Sequence, residues 1–255
     1  HPDSVTFVRS LEEDLMRRDF TINALAVNDK EEIVDYFGGI EDLEREIIRC
    51  VGNPMERFNE DALRMMRAVR FAGQLGFTIE SDTFNAIHTL KANLEQVAVE
   101  RMKVEFEKMI LSPHRALAFK AFVESELYHS CPDFKEAKET LLKLGEFPLE
   151  KMTITQAWIL FAYYERLSIP QLRKVLKNWK SSNDQISTIL TGYQTLLARL
   201  EKEWDAFLAY ECPEVLAIEV EQLLPGIGHS EQLVELEEVY RQLPIRSMKD
   251  IQIDG

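Results

Sequence analysis

The sequence predicts a mainly α-helical protein with a small α/β part at its N-terminus. Apolar residues recur at helical spacing along most of the chain after Asn59, which is typical of packed helices. Before that point, residues 32–36 have the pattern of a short strand and end in a turn signal, Gly38 and Gly39. With 255 residues, the chain is long enough for more than one hydrophobic core.

The first elements follow in chain order. Ser10 and Glu13 have the spacing of a capping box, which predicts a helix that begins at Leu11 and continues through residue 26. The strand at 32–36 and the glycine turn come next, and a further helix is expected to begin near Glu41.

Helices account for the rest of the chain. Asn59 is the expected N-cap of a long helix, and Gly76 is its expected C-terminal stop. Pro132, Gly145 and Pro148 predict a break in the regular pattern between 130 and 151, and we place a boundary near 124–133. Other helices are expected at 82–91, 99–111, 113–125, 154–167, 170–179, 184–200, 204–211, 213–224 and 230–243.

Composition excludes several classes of protein. No apolar run is long enough to span a bilayer, and no secretory leader is evident. The three cysteines are odd in number and widely spaced, which favours free thiols in a reducing compartment, and we predict a cytoplasmic protein. The formal net charge of -14 argues against a nucleic-acid partner unless the basic residues are gathered on one side.

The segment 59–71, NEDALRMMRAVRF, carries the strongest chemical signal. Asp61 and Arg64 are three residues apart and would be neighbours on a helix, so a hydrogen-bond acceptor lies beside a donor. That pair fits the Watson–Crick edges of cytosine and adenine and rejects guanine and uracil. Arg67 and Arg70 continue the spacing and could hold a triphosphate or RNA phosphate. Taken alone, the segment is more simply a solvated helix face with ion pairs.

A second motif lies upstream, in RRDFTIN at 17–23. Arg18 could hold a phosphate there, while Asp19 or Asn23, four residues apart, could bind a ribose hydroxyl. The alternative is again the surface of a helix.

Three blocks, RRDFTINALA, DYFGGIEDLEREIIRCVGNP and RFNEDALRMMRAVRFAGQLGF, resemble the conserved blocks of bacterial-type CCA-adding enzymes. These are class II tRNA nucleotidyltransferases, in the group that includes bacterial poly(A) polymerase. The resemblance is dense over residues 3–77. It implies that Arg18, Asp61, Arg64, Arg67 and Arg70 contact the incoming nucleotide, and that Asp61 and Arg64 act as a protein template for C and A.

The resemblance also implies an elongated, multi-helix architecture with a remnant of the catalytic head. Residues 1–52 would be the C-terminal part of the nucleotidyltransferase head, and 53–123 the neck that recognises the base. Residues 124–243 would be a helical body that binds tRNA, and 244–255 the start of the tail.

The sequence departs from the family in its catalytic motifs. The resemblance implies a Gly-Gly-x-x-Arg phosphate loop and an Asp-x-Asp pair that holds Mg²⁺, but no Asp-x-Asp occurs here, and Gly38 and Gly39 precede acidic residues. We therefore expect no catalytic residue and no metal ligand in this chain, with the metal-binding aspartates upstream. The chain alone is predicted to be inactive.

A basic segment, RLSIPQLRKVLKNWK at 166–180, contains five basic residues and no acidic one. If it is helical, Arg173, Lys174, Lys177 and Lys180 form a strip that could lie on a tRNA backbone. An ordinary solvated face above an apolar core of Leu172, Val175, Leu176 and Trp179 is an equally good interpretation.

Together, the motifs and the resemblance predict template-independent addition of CCA to tRNA 3′ ends, with tRNA, ATP and CTP as partners, Mg²⁺ as the cofactor and no membrane. Two alternatives stay open. The parent enzyme could be a CC-adding or A-adding enzyme or a poly(A) polymerase, or the chain could be a non-catalytic RNA-binding helical module. The sequence does not predict the oligomeric state.

Overall fold

The computed structural model describes residues 11–243, so the predicted capping residue Ser10 and the predicted tail at 244–255 lie outside the described residues. The chain divides into two compact units that part between Lys138 and Glu139. This point lies a few residues beyond the boundary predicted near 124–133. The assignment of head, neck, body and tail stays a prediction.

The first unit begins with short helices and strands and continues as packed helices, which confirms the predicted mainly α fold with a small α/β start. Two pairs of strands are present among the described residues: β1 pairs with β2 antiparallel, and β3 pairs with β4 parallel. The elements are α1 (Leu11–Met16), β1 (Leu25–Val27), β2 (Ile33–Asp35), α2 (Gly39–Glu44), β3 (Ile47–Ile48), α3 (Pro54–Glu60), α4 (Leu63–Leu75), β4 (Thr78–Ile79), α5 (Ser81–Leu90), α6 (Val99–Ile110) and α7 (Arg115–Glu124), with 3₁₀ turns at Thr21–Asn23, Lys91–Gln96 and Leu127–Ser130.

The predicted helix over 11–26 is wrong beyond Met16. The chain leaves the helix there, turns through residues 17–20 and enters β1 at Leu25. The Asp19 side chain accepts a hydrogen bond from the backbone N–H of Phe20 at 3.0 Å. This local bond competes with helix formation, as short acidic side chains commonly do.

The glycine turn positions α2. Gly39 packs so closely on the Thr21 carbonyl that an added Cβ would lie 2.2 Å from its oxygen, so no larger residue fits there. The Asp35 carboxylate accepts hydrogen bonds from the N–H groups of Gly39 and Ile40 at 2.9 and 3.0 Å. Although burial opposes it, this bonding lowers the pKa of Asp35. The helix predicted to begin near Glu41 therefore begins two residues earlier.

The expected long helix from Asn59 to Gly76 is divided. Asn59 lies inside α3, and the chain is extended at Asp61 before α4 begins at Leu63. Asn59 is therefore not an N-cap, which corrects the prediction. Gly76 does end α4, in the left-handed conformation that glycine adopts at low cost (φ 76°).

All regular elements among the described residues of the second unit are helices. Its core includes Trp158 and Trp179, whose rings meet edge to face at 5.8 Å between centroids. One helix lies within the segment predicted to be irregular, at 138–146, so that prediction was wrong there. The elements are α8 (Lys138–Glu146), α9 (Ile154–Tyr164), α10 (Ile169–Asn178), α11 (Asn183–Glu201), α12 (Ala206–Glu211), α13 (Glu214–Glu221) and α14 (Leu233–Gln242), with a 3₁₀ turn at Pro225–Ile227.

A buried ion pair ties three parts of the second unit together. Glu221 is fully buried, and its carboxylate accepts hydrogen bonds from Arg199, Trp204 and the backbone N–H of Gln232, each at 2.6 Å. Because all three of these donors lie within the fold, the carboxylate is well compensated and organises the packing of α11 and α13.

No helix within residues 11–243 is long and apolar enough to cross a membrane. Cys50, Cys131 and Cys212 are free and buried, in agreement with the predicted free thiols.

Candidate nucleotide-binding site

The break between α3 and α4 places Asp61 at the start of α4. Asp61 lies one residue before Ala62, the N-cap of α4, and its Oδ1 accepts a hydrogen bond at 3.1 Å from the backbone N–H of Leu63, the first residue of that helix. The backbone N–H of Arg64 donates to the Asp61 carbonyl oxygen at 3.1 Å. Asp61 and Arg64 are therefore adjacent, but they do not share one continuous helix, which corrects the expected geometry.

The side chains of Asp61 and Arg64 bind other partners instead of each other. Asp61 Oδ2 accepts a hydrogen bond from the guanidinium of Arg101, on α6, at 2.9 Å. Arg64 binds the carboxylate of Glu60 and the carbonyl oxygen of Arg57, both at 3.0 Å. The hydrogen bond from Arg64, with the charge of Arg57, holds the pKa of Glu60 below its ordinary value of 4.5, against the opposing effect of burial.

Arg57 fixes the turn that carries Arg18. Its guanidinium donates to the carbonyl oxygens of Arg17 and Arg18, each at 2.8 Å. The Arg18 side chain is exposed, and its nearest acidic partner is Asp14 at 3.6 Å. The backbone of this turn is thus held while the Arg18 guanidinium stays accessible to a ligand.

Asp19 and Asn23 come together as their spacing predicted. Asn23 Nδ2 donates to Asp19 Oδ1 at 3.3 Å, although a 3₁₀ turn rather than an α-helix makes the approach. Asp19 is buried, and its Oδ2 accepts a hydrogen bond from Arg67 Nε at 2.7 Å. Asp19 therefore connects the N-terminal part of the unit to α4, and the ribose contacts of Asp19 and Asn23 stay predictions.

Arg67 and Arg70 share a buried carboxylate, Glu105, on α6. Arg70 Nε lies 2.5 Å from Glu105, and Arg67 lies 3.8 Å from it. Arg70 is almost completely buried and its guanidinium lies over the Phe71 ring, 3.8 Å from the centroid. This placement favours a supporting role for Arg70, whereas Arg67 retains a one-third exposed side chain that a phosphate can reach.

Sequence reasoning missed Arg57, Arg101 and Glu105. Arg101 and Glu105 are one helical turn apart on α6 and carry charges opposite to those of Asp61 and the α4 arginines. That complementarity is visible in the sequence, but only the packing of α6 on α4 shows that the two sets of charges meet.

Cys50 is not a candidate nucleophile. Burial raises the pKa of its thiol to about 12, outweighing the nearby charges of Arg57 and Arg64. The thiol is therefore protonated at neutral pH, and a protonated thiol is a poor nucleophile.

The described residues form no metal site of three or more side-chain ligands. Between residues 11 and 243, no group of three or more His, Cys, Asp or Glu side chains could hold a metal ion.

Three residues of the basic strip, Arg173, Lys174 and Lys177, lie on α10 as expected, whereas Lys180 follows the end of the helix in a left-handed conformation (φ 55°). Arg173, Lys174, Lys177 and Lys180 are exposed, and across the described chain they form no ion pair. The opposite face of this helix is buried through Leu172, Val175, Leu176 and Trp179. Both interpretations of the segment therefore fit the same helix, and tRNA contact stays a prediction.

Comparisons with known proteins identify the class. Three family models match: a poly A polymerase head domain over residues 1–49, a "Probable RNA and SrmB-binding site of polymerase A" over 76–138, and a tRNA nucleotidyltransferase domain 2 over 149–255. These matches, with the relatives described next, show that the chain belongs to the family of tRNA nucleotidyltransferases and poly(A) polymerases.

Within that family, the chain is similar over its whole length to bacterial CCA-adding enzymes. It is 44% identical to the enzyme of Enterococcus faecalis and 42% identical to that of Ligilactobacillus salivarius, and it spans 63% of the length of each. The solved structure of the Bacillus stearothermophilus CCA-adding enzyme in complex with CTP matches 98% of this chain and 64% of its own, with 33% identity and a TM-score of 0.88. A Thermotoga maritima CCA-adding enzyme complexed with tRNA shares the fold at 21% identity and a TM-score of 0.61.

Proposed function

We propose that the protein adds CCA to tRNA 3′ ends without a nucleic-acid template, using CTP and ATP, and that this chain supplies base recognition and tRNA binding. The observation that carries the proposal is the 44% identity to a CCA-adding enzyme over all 255 residues, which include the arginine and aspartate set of α3, α4 and α6. We place the protein in the cytoplasm.

Base selection is assigned to Asp61 and Arg64. Asp61 Oδ2 is an acceptor whose partner, Arg101, is about half exposed, and a carboxylate oxygen has lone pairs for more than one hydrogen bond. An exocyclic amino group of C or A can therefore bind the same oxygen. Arg64 has five N–H donors, and those not bound to Glu60, Arg57 or the carbonyl oxygen of Arg17 can donate to the ring nitrogen beside that amino group.

Phosphate binding is assigned to Arg18 and Arg67. Arg18 is exposed on a turn whose backbone is fixed, and Arg67 is held by Asp19 with part of its guanidinium accessible. Arg70 would support phosphate binding without touching the phosphate. Its ion pair with Glu105 holds α4, which carries Arg67, against α6. The candidate ribose contacts are Asp19 and Asn23.

The exposed strip of Arg173, Lys174, Lys177 and Lys180 is assigned to the tRNA backbone. Structured RNA is recognised mainly by shape and through its phosphates and 2′-hydroxyls, which requires such a surface on an otherwise acidic protein. Mg²⁺ is the proposed cofactor, with its ligands in a part of the protein outside the described residues.

One alternative has specific support. Two of the family models are named for poly(A) polymerase, so a polymerase that adds an A tract is the second candidate. A CC-adding or an A-adding enzyme stays an alternative too, because an acceptor beside a donor fits both C and A. A non-catalytic RNA-binding module remains the alternative of another class.

The deciding experiment is nucleotide incorporation by the full-length gene product that contains this chain. The substrates are tRNA transcripts lacking the terminal CCA, with CTP alone, ATP alone or both, and the 255-residue chain is assayed in parallel. The proposal requires two C residues followed by one A from the full-length protein, and we expect no incorporation by the chain. CC alone, A alone or a long A tract would change the enzyme but keep the family, while no incorporation would favour the binding module.

A further inference from the structure

One face of α6 contacts both parts of the candidate nucleotide site. Arg101 binds Asp61, and Glu105, one turn later, pairs with Arg70 and Arg67. The Asp61 carboxylate and the α4 arginines are therefore both held by α6, a helix that lies outside both sequence motifs.

The carboxylate of Asp61 is held at both oxygens. Oδ1 accepts the N–H of Leu63 at 3.1 Å, and Oδ2 accepts the guanidinium of Arg101 at 2.9 Å. A carboxylate oxygen has more than one lone pair, so Oδ2 can accept a ligand hydrogen bond while Arg101 stays in place. Two fixed contacts determine the plane of the carboxylate, whereas the Leu63 contact alone would leave Oδ2 free to rotate.

We propose that Arg101 is a positioning residue that determines base specificity by fixing the direction of Asp61 Oδ2. This inference rests on the proposed function and assigns to the same site a residue outside the three blocks that carry the family resemblance. An oriented acceptor discriminates between an amino group and a carbonyl oxygen more sharply than a mobile one. The bond to Asp61 also occupies an Arg101 donor that could otherwise bind the carbonyl oxygen of uracil or guanine.

Arg101 is suited to mutagenesis because its side chain is 53% exposed. Its removal leaves no buried charge unpaired, since Asp61 is itself one-third exposed and keeps its bond to Leu63. A change in specificity on substitution would therefore not result from unfolding.

The test uses the full-length gene product with Arg101→Ala, Arg101→Lys and a control, Arg241→Ala. Arg241 is exposed and pairs with Glu238 at 2.8 Å, so it matches the type of ion pair but lies outside the site. The measurement is the ratio of kcat/KM for CTP to that for UTP, and for ATP to that for GTP, on tRNA lacking CCA. We expect Arg101→Ala to lower both ratios roughly threefold to tenfold, the range for one charge-assisted hydrogen bond at a partly exposed site.

The lysine variant should restore part of the discrimination, because it keeps the charge but not the planar fork, and the Arg241 control should match the wild type. Unchanged ratios in Arg101→Ala, or an equal fall for all four nucleotides, would overturn the role of Arg101 and leave the proposed function intact. A wild-type protein that adds neither C nor A would overturn both.

Discussion

The charged side chains assigned to phosphate binding have ion-pair partners within the chain, so binding a phosphate exchanges one ion pair for another. The exchange is easiest where a pair is exposed. Arg18 and Asp14 form such a pair, 3.6 Å apart, whereas Arg70 and Glu105 are both buried and should remain together. Breaking a buried pair leaves an uncompensated charge, which costs about 3–5 kcal/mol.

Substitution of Asp61 should separate its two roles. In Asp61→Asn the amide oxygen can still accept the Leu63 N–H, which turns the amide NH₂ toward the base and removes the acceptor that Arg101 binds. A donor in place of an acceptor favours uracil over cytosine, so we expect the preference for CTP over UTP to fall about tenfold or more, the effect of about 1.4 kcal/mol. Asp61→Ala should lose selectivity too, and also about 1 kcal/mol of stability with the hydrogen bond to the Leu63 N–H.

Arg18→Ala is the comparison for this pair of variants. It should raise the KM for both CTP and ATP while leaving the ratio between correct and incorrect bases unchanged, because Arg18 is assigned to phosphate. The assays are nucleotide incorporation by the full-length protein and thermal unfolding. Equal loss of selectivity and affinity in the Asp61 and Arg18 variants would contradict the division of roles.

At the level of helices and strands, the sequence predicted elements well where apolar spacing is regular. The predicted helices at 99–111, 170–179 and 184–200 agree with α6, α10 and α11 to within a residue. The errors arise where a distant residue decides the local conformation. Arg57 binds the carbonyl oxygens of residues 17 and 18, about 40 positions away, and no local pattern contains that information.

In two other errors, a residue that often ends or begins a helix lies inside one, because packing outweighs the local signal. Asn59 and Asp61 are both good caps, two residues apart, and α3 continues through the first of them. Gly145 predicted a break because glycine in a helix costs about 1 kcal/mol relative to alanine. It is nevertheless buried within α8, where the packed neighbours Leu141 and Leu144 stabilise the helix.

The candidate site was predicted in part. The spacing of Asp19 and Asn23 gave a real contact, and Asp61 and Arg64 were placed as neighbours on the wrong local geometry. Arg57, Arg101 and Glu105 could not be assigned, because their role depends on the packing of α6 and α3 against other segments. Charge complementarity between helices becomes a usable signal only once the packing partner is known.

The α10 strip yields a prediction for tRNA binding. Replacing Arg173, Lys177 and Lys180 together by Gln should weaken binding to tRNA and reduce the dependence of log Kd on log salt. The slope should fall by up to about one unit for each phosphate that the protein no longer neutralises. Stability should hardly change, because the three side chains are exposed and the buried face of α10 is retained.

The control for α10 replaces Lys202 and Arg241 by Gln, two exposed cations in the same unit that are already paired with Asp205 and Glu238, and the slopes are compared per charge removed. Filter binding or fluorescence anisotropy between 50 and 300 mM salt, on the order of the range where such slopes are measured, gives the comparison. If the control lowers the slope as much as the α10 variant, general charge and not this strip governs binding.

For the whole molecule, the net charge of -14 and the local ion pairs have opposite consequences as the pH falls. Protonation first relieves the repulsion among excess carboxylates, which favours the compact state. Further protonation removes carboxylates that bind cations or backbone N–H groups in the fold. Five carboxyl groups have pKa values below their ordinary values of 3.8 for Asp and 4.5 for Glu: Asp35, Glu60, Glu80, Glu126 and Asp205.

A carboxyl group whose pKa is lowered by folding contributes stability above its unfolded pKa, and this contribution is lost as the pH falls through the folded value. Burial raises the pKa of Glu219, which acts in the opposite direction, but it is one group against five.

We therefore expect the midpoint of urea unfolding to rise slightly from pH 8 to about pH 5.5 and to fall below about pH 4.5. High salt should reduce the rise in the urea midpoint, because it screens long-range repulsion between carboxylates. It should leave much of the fall in the midpoint at acid pH, which comes from contacts at hydrogen-bond distance. A midpoint that keeps rising below about pH 4 would mean that net charge, and not these local contacts, controls the acid stability of the fold.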